Sequence, residues 1–171
     1  ATSDLNGDGL DDLFIGSARG EASNILLQQG NGSFKPSSTA LLETNKAFED
    51  VGSLFFDVDG DGDQDLYVVS GGISMSGDSP LLQDRLYLND GAGNFQHESD
   101  ALPEMLTSGQ SVSAGDIDND GDLDLFVGGR VSAKDYPRIP TSYLLINEGG
   151  KFIDQTNSLA SDLAQIGMVT R

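Results

Sequence analysis

The sequence predicts an all-β protein made of three repeats, each with four antiparallel strands. Three observations lead to this prediction: an acidic nonapeptide recurs three times, a short apolar segment follows each copy, and a glycine-rich turn ending in phenylalanine comes later in each repeat. Hydrophobic residues make up 37% of the 171 residues, and 22 glycines indicate many turns between short strands. We therefore expect a single repeat domain spanning residues 1–171.

The acidic nonapeptides begin at Asp4, Asp57 and Asp116. Each follows the pattern Asp-x-(Asp or Asn)-x-Asp-Gly-x-x-Asp, and together they hold half of the 28 acidic residues of the chain. An ordinary Asp/Gly turn explains one copy of this pattern, but it does not explain three copies in phase. The acidity of the chain is therefore mostly a local property of three loops.

The spacing of the nonapeptides points to calcium. Side chains at loop positions 1, 3 and 5 converge as the backbone curls, glycine at position 6 permits a sharp turn, and position 7 offers a main-chain carbonyl. A carboxylate follows at position 9, and such hard oxygen donors suit Ca²⁺ better than zinc or copper. We expect about three Ca²⁺ per chain, one in each loop. The predicted ligands are Asp4, Asn6, Asp8, Leu10 and Asp12 in the first loop, Asp57, Asp59, Asp61, Asp63 and Asp65 in the second, and Asp116, Asp118, Asp120, Asp122 and Asp124 in the third.

The residues after each loop exclude an EF-hand. That motif needs a bidentate Glu at position 12 and flanking helices, whereas position 12 is occupied here by Ile15, Val68 and Val127. The segments that follow the loops are rich in β-branched and aromatic residues and predict short buried strands. Each loop is therefore expected to turn one strand into the next.

Further landmarks recur in step with the loops. Strand-like segments are expected before the second and third loops, and each repeat has a third strand, a hairpin turn and an outer strand. Four-stranded units repeated around an axis are the blades of a β-propeller. The expected blades cover approximately residues 1–46, 47–107 and 108–162, and residues 163–171 are expected to form the inner strand of a next or partner blade. Because only three residues precede Asp4, the first blade is expected to lack its inner strand.

The loop followed by Leu-Phe-Val-Gly-Gly, together with the segment Leu-Tyr-Leu-Asn-Asp-Gly-Ala-Gly-Asn-Phe, resembles the FG-GAP or VCBS repeat of integrin-α-like β-propellers, in its bacterial secreted form. The resemblance covers essentially the whole chain, and it implies Ca²⁺ between the first and second strands of each blade. The second and third loops match the family pattern at every acidic position. The first loop has Asn6 in place of an acid, so its site is expected to be the weakest.

Three blades are too few for a closed ring, since propellers typically have about 4–8. The predicted fold is therefore a partial, unclosed propeller. It is either a piece of a longer propeller or half of a dimer in which residues 164–171 of each chain complete the first blade of the other.

Charge and loop lengths indicate what the propeller binds. A net charge of −19 argues against nucleic acid as a partner, since phosphate binding needs a basic surface. We expect a secreted or cell-surface scaffold for adhesion or binding, whose protein or glycan ligand lies on the face opposite the calcium loops. The candidate ligand loop carries Arg130, Lys134, Tyr136 and Arg138 and would attract an anionic group. The alternative is a solvated loop whose bases offset acidic neighbours.

Catalysis is not expected from this chain. It has a single histidine, His97, no cysteine, and no serine in a Gly-x-Ser-x-Gly turn. His97 is expected to pack in an outer strand. The alternative functions are a lectin-like carbohydrate binder or a fragment of a polysaccharide-processing propeller, and they are weakened by the absence of tryptophan and by a candidate loop with Tyr136 as its one aromatic residue.

Overall fold

The computed structural model describes residues 1–37, 40–73, 79–132 and 138–169, which form three four-stranded antiparallel sheets. The first sheet consists of β1 (Thr2–Ser3), β2 (Asp12–Ile15), β3 (Asn24–Gln28) and β4 (Phe34–Pro36). The second consists of β5 (Asp50–Phe56), β6 (Asp65–Ser70), β7 (Arg85–Asn89) and β8 (Phe95–His97). The third consists of β9 (Ser108–Gly115), β10 (Asp124–Val131), β11 (Tyr143–Asn147) and β12 (Phe152–Asp154).

Each sheet is an up-and-down meander in which strands adjacent in sequence are adjacent in space. Short helical segments that the sequence analysis did not predict lie in the connections: α1 (Ala40–Thr44), α2 (Thr156–Leu159) and the 3₁₀ turns Pro80–Leu82 and Ser161–Gln165. The all-β prediction of four-stranded antiparallel repeats is confirmed, and the arrangement is that of a partial, unclosed propeller.

The middle sheet is buried on both faces, which explains its apolar sequence. All six residues of β6 are buried. Since successive side chains of a strand point to opposite faces, Leu66 and Val68 pack into a core shared with the first sheet. Tyr67 and Val69 pack into a second core shared with the third sheet. A strand between two neighbouring sheets therefore needs a continuous apolar run rather than an alternating one.

The second residue of each nonapeptide shows where one sheet covers the next. Leu5 is 1% exposed and lies in the core between the first and second sheets. Val58 is 2% exposed and lies in the core between the second and third. Ile117, at the same loop position in the third sheet, is 43% exposed. The third sheet is therefore the only one of the three whose loop is not covered by a following sheet in the described chain.

The beginning of the chain corrects one expectation. The first sheet does have an inner strand, because Thr2 pairs with Leu13 and Ser3 with Asp12. The Phe14 N–H also donates to the Ala1 carbonyl at 3.0 Å. Three residues ahead of the loop suffice for a short strand because Thr2 and Ser3 can pair with the first part of β2.

The strand expected over residues 163–171 is not tested by the described residues at this end of the chain. The segment 163–171 begins in a 3₁₀ turn, Ser161–Gln165, and further on the Val169 N–H donates to the Gly129 carbonyl at 2.9 Å. Ile166 and Met168 are each 59% exposed. The inner strand expected here needs a further blade to pair with, so it stays a prediction.

A buried ion pair lies at the boundary between the first and second sheets. Arg85 Nη2 lies 2.5 Å from Asp50 Oδ1, with the two side chains only 4% and 5% exposed. The hydroxyl of Ser23, from the first sheet side, also donates to Asp50. The ring of Phe48 lies 4.3 Å from the Arg85 guanidinium carbon, where a cation is attracted to the aromatic face. This network links the two sheets through polar contacts on one side of their apolar core.

Candidate metal centres

The three loops adopt the same backbone curl. Positions 4 and 6 have positive φ in every loop: Gly7 and Gly9, Gly60 and Gly62, and Asn119 and Gly121, with φ between 64° and 104°. The one residue of this set that is not glycine is an asparagine, which tolerates the left-handed region better than most side chains. The shared curl is what brings alternate side chains to the inside of each loop.

The curl gathers carboxylates in the second and third loops. Ligand oxygens of Asp57, Asp59 and Asp61 lie within 4.8 Å of one another, and so do those of the acids at the same positions in the third loop, Asp116, Asp118 and Asp120. These side chains are exposed or half-buried, so an ion can reach them from solvent. Loop positions 1, 3 and 5 therefore converge as the spacing predicts.

The first loop points its side chains the same way. The Asn6 Oδ1 accepts the Asp8 N–H at 3.0 Å, just as Asp59 Oδ1 accepts the Asp61 N–H at 3.3 Å. Asn6 thus offers an oxygen where the other loops offer a carboxylate, with one negative charge fewer. The carboxylate of Asp4 accepts backbone N–H groups, of which that of Gly9 at 2.8 Å is the shortest contact. These donors, Gly9 first, lower the pKa of Asp4 and keep it ionised.

The acid at position 9 lies inside the protein. Asp12, Asp65 and Asp124 are each at most 1% exposed. One oxygen of each accepts the N–H of the residue at loop position 2, and the other accepts the N–H of the last residue of the third strand. Each oxygen keeps a second lone pair. These carboxylates therefore close the loop onto the sheet, and they retain the capacity to bind an ion as well.

In the second and third loops, the side chain at position 7 reaches the hairpin of its own sheet. Asp122 Oδ2 accepts the Gly149 N–H at 3.2 Å. A Cβ on Gly91 would lie 2.5 Å from Asp63 Oδ2, and the φ of 73° at Gly91 is the left-handed conformation that favours glycine. Desolvation and the neighbouring acids, Asp61 first among them, raise the pKa of Asp63. The predicted ligand at position 7 is the main-chain carbonyl, not the side chain.

The donor set fits a hard divalent cation. The predicted side-chain ligands are carboxylate or amide oxygens, and three carboxylates at close range repel one another unless a cation separates them. Ca²⁺ takes 6–8 oxygen ligands in flexible geometry, and loops of this kind accommodate it. Within the described part of the chain, the groups of His, Cys, Asp and Glu close enough to hold a metal are the two acid trios.

The candidate ligand loop is only partly described. Arg130, expected in a loop, lies instead in strand β10, which runs to Val131, and its side chain is exposed. Arg138 is also exposed. Lys134 and Tyr136 lie outside the described residues. β10 continues past the expected strand end because β9 is long enough to pair with it as far as Val131.

The single histidine lies against the sheet core. The ring of His97 is 5.2 Å from that of Tyr87, and burial lowers the pKa of the imidazole. The Tyr87 hydroxyl accepts hydrogen bonds from Asn45 at 3.0 Å and from Arg85 at 3.3 Å. His97 therefore packs beside the polar network of the first sheet boundary.

Two residues beside the metal loops were missed by the sequence analysis. Asn89 and Asn147 end the third strand of the second and third sheets, and both side chains are buried. Their amides donate to main-chain carbonyls of a neighbouring loop. Their shared position immediately before the hairpin, where the first sheet has Gln28, is the signal that could have found them.

Comparison with known families agrees with this geometry. The FG-GAP-like repeat matches residues 4–68 and again residues 57–127, so that each match begins at the first acid of a loop and ends in the strand after the following loop. No curated protein matches the chain. The two family matches span most of the sequence and coincide with the loops and sheets described above. The chain belongs to the FG-GAP-like repeat family.

Proposed function

We propose that the protein is a calcium-stabilised, extracellular β-propeller scaffold that binds a protein or glycan ligand. The observation that carries the proposal is the gathering of three carboxylates in the second and third loops, with an equivalent arrangement around Asn6 in the first. Calcium sites in extracellular modules have Kd values on the order of 10⁻⁴–10⁻³ M. Such weak sites are filled outside cells, where the ion is abundant.

The role proposed for the ion is structural rather than regulatory. Calcium sensors respond by opening a pair of helices, whereas each loop here joins two strands of one sheet. Both ends of the loop are held to the sheet by the buried acid at position 9. When bound, the ion would neutralise the repulsion between the acids at positions 1, 3 and 5, and the loop would hold its shape.

The first loop provides a direct test. Replacing Asn6→Asp restores the missing charge without changing side-chain size, so Ca²⁺ binding at this loop is expected to tighten about tenfold, one decade of the range over which ligand charge tunes such sites. Calorimetric titration of EDTA-stripped protein measures the effect. The matched control is Asn24→Asp, an exposed residue that pairs with Ile15 at the end of β3 opposite the metal loop. Equal titration curves for the wild type and Asn6→Asp would contradict the assignment of Asn6 as a ligand.

The ligand is proposed to bind at the opposite end of the sheets. In antiparallel sheets, the connection after the second strand lies at the end away from the metal loop. The connections from Ser70 to Arg85 and from Val131 to Tyr143 are longer than that from Ile15 to Asn24. Binding residues concentrate in long connections on a rigid scaffold. The connection in the third sheet also brings basic residues into an otherwise acidic protein.

Replacing Arg130, Lys134 and Arg138 together by Ser tests this face. Affinity for anionic ligands, screened on an array of acidic and neutral glycans, is expected to fall by about tenfold or more, because exposed charge pairs of up to about 1 kcal/mol each would be lost together. The control is Lys35→Ser with Lys151→Ser, which removes exposed bases elsewhere. Unchanged binding of every ligand would place the binding surface elsewhere. Retention of neutral glycans alone would favour the lectin-like alternative.

The two outer sheets are proposed to bind further blades of the same repeat. Ile117 is 43% exposed where its counterparts Leu5 and Val58 are covered. At the other end, β1 pairs with only the first part of β2. Beyond it lies a cavity of about 310 Å³ whose lining includes Ile15 and Val51. An extended strand of a further blade fits this open edge, as β5 fits the edge of β6.

In a solution of this chain alone, a second copy can supply the further blades. Light scattering is therefore expected to give a mass above the 18.0 kDa of one chain, rising with concentration. Ile117→Asp is expected to lower that mass towards the single-chain value, because a charge would then have to be buried in the contact. A strictly monomeric wild type across the concentration series would contradict the proposal.

A further inference from the structure

A continuous series of hydrogen bonds links the three metal loops, and two asparagines supply its crossings between sheets. In the first sheet, the Leu5 N–H donates to Asp12 at 3.0 Å. The Leu5 carbonyl then accepts the Asn89 side-chain amide at 2.9 Å. Since Leu5 belongs to the first loop and Asn89 to the second sheet, this bond crosses the boundary between them.

The series continues through the second loop. The Asn89 N–H donates to Asp65 Oδ1 at 2.8 Å, and Asp65 Oδ2 accepts the Val58 N–H at 2.9 Å. Asp65 is the position 9 acid of the second loop. Asn89 is therefore bonded at its amide to one loop and at its backbone to the next.

The same connection is repeated at the second boundary. The Asn147 amide donates to the Val58 carbonyl at 2.8 Å. The Asn147 N–H donates to Asp124 Oδ1 at 2.8 Å, and Asp124 Oδ2 accepts the Ile117 N–H at 2.7 Å. The recurrence of donors and acceptors at the same repeat positions shows that the connection is a feature of the repeat.

Each asparagine side chain has a hydrogen-bond partner for its oxygen and two acceptors for its amide group. Asn147 Oδ1 accepts the Gly150 N–H of the hairpin at 2.8 Å, and its amide also donates to the Leu123 carbonyl at 3.3 Å. Asn89 does the same with Gly93 at 3.1 Å and Gln64 at 3.2 Å. Both side chains are at most 6% exposed. With water excluded and every group paired, their orientation is fixed, so a displaced loop carbonyl would leave a buried donor unsatisfied.

We propose that Asn89 and Asn147 are positioning residues that couple neighbouring calcium loops, so that filling one loop raises the Ca²⁺ affinity of the next. The inference rests on the proposed calcium binding. An ion that orders the second loop holds the Val58 carbonyl in place as the acceptor for Asn147, which in turn positions Asp124 of the third loop. Binding of an ion to the third loop then costs less free energy for ordering that loop. The two binding events are therefore positively coupled.

The coupling is measured between the second and third loops, with the first loop unable to bind. The first loop is silenced by Asp4→Asn with Asp8→Asn, and Ca²⁺ is titrated into protein with the second and third loops intact. Two further variants silence one of these loops as well and give each single-site affinity. The overall two-site constant is expected to exceed the product of the single-site constants by about fivefold or more, the usual lower range of coupling between sites.

Asn147→Ala is expected to reduce the ratio of the two-site constant to the product of the single-site constants to one, while both sites still bind Ca²⁺. This ratio is called the coupling factor below. Asn147→Asp is the second variant, because it keeps the side-chain size and the acceptor for Gly150 but cannot donate to Val58. The added charge changes the single-site constants and the two-site constant alike. Its effect therefore cancels when the two-site constant is divided by the product of the single-site constants. The matched control is Gln28→Ala, at the same repeat position of the first sheet, which is expected to leave the factor unchanged.

The outcomes separate this inference from the proposed function. If single-site variants bind no Ca²⁺, the proposed function fails. If they bind but the factor is one with Asn147 intact, only the coupling fails. A factor that persists in both Asn147 variants likewise overturns the coupling, whereas a lower melting temperature with an unchanged factor assigns Asn147 to sheet packing alone.

Discussion

Removal of Ca²⁺ is expected to lower the melting temperature of the protein by about 10 °C or more. With Kd on the order of 10⁻⁴–10⁻³ M and about 10 mM Ca²⁺, each filled site adds about 1.4–2.7 kcal/mol of stability. Three sites together add about 4–8 kcal/mol, and about 1 kcal/mol shifts the melting temperature of a chain of this size by about 2–4 °C. Calorimetry with and without EDTA measures the shift.

The control is a variant with all three loops silenced by Asp→Asn at positions 1 and 5. It is expected to melt at the same temperature with and without Ca²⁺. Because the replaced acids no longer repel one another, its melting temperature is expected to lie above that of the chelated wild type. An unchanged melt of the wild type after thorough chelation would refute the structural role of the ion.

Arg85→Ala is expected to destabilise the protein by about 3–5 kcal/mol, because it leaves the Asp50 carboxylate buried without its cation. The pair is 2.5 Å apart and almost fully buried. The substitution also removes the contact of the guanidinium with Phe48. Urea unfolding measures the loss, and we expect it to appear in the midpoint rather than in the slope.

Two variants test the reason for this loss. Lys46→Ala breaks an exposed pair with Glu43, whose atoms are 3.8 Å apart, and is expected to cost less than about 1 kcal/mol. Adding Asp50→Asn to Arg85→Ala removes the orphaned charge and is expected to recover part of the stability. If Arg85→Ala costs no more than Lys46→Ala, then the buried pair between β5 and β7 does not contribute to the stability of the second sheet.

The parts of the fold that repeat in the sequence could be predicted from it. The oxygen ligands at positions 1, 3 and 5 recur in phase, so the argument that one loop binds an ion applies to all three loops. The strands after the loops were recognisable because a blade between two neighbours is buried on both faces and its sequence is continuously apolar, as in β6.

The parts that occur once could not be predicted in this way. Arg85 has Asn24 and Tyr143 at its repeat positions, so nothing in the pattern marks it as half of a buried pair. The apolar run ends at Gly128 and so predicts Arg130 in a loop, whereas β10 continues to Val131 through an irregular register that the sequence pattern does not show. The second role of Asp12, Asp65 and Asp124, closing the loop onto the sheet, depends on long-range N–H contacts that a nonapeptide does not show.

The central claim is that the recurring acids of this FG-GAP-like repeat protein exist to hold calcium. The most direct test is the metal content of purified protein dialysed against buffer with about 10 mM Ca²⁺, which fills sites of this affinity almost completely, measured by mass spectrometry of the metal against protein concentration. The account predicts about three Ca²⁺ per chain, one for each loop, and about two when Asp57, Asp59 and Asp61 are replaced by Asn. A content indistinguishable from that of the dialysis buffer, or one unaffected by these replacements, would contradict it.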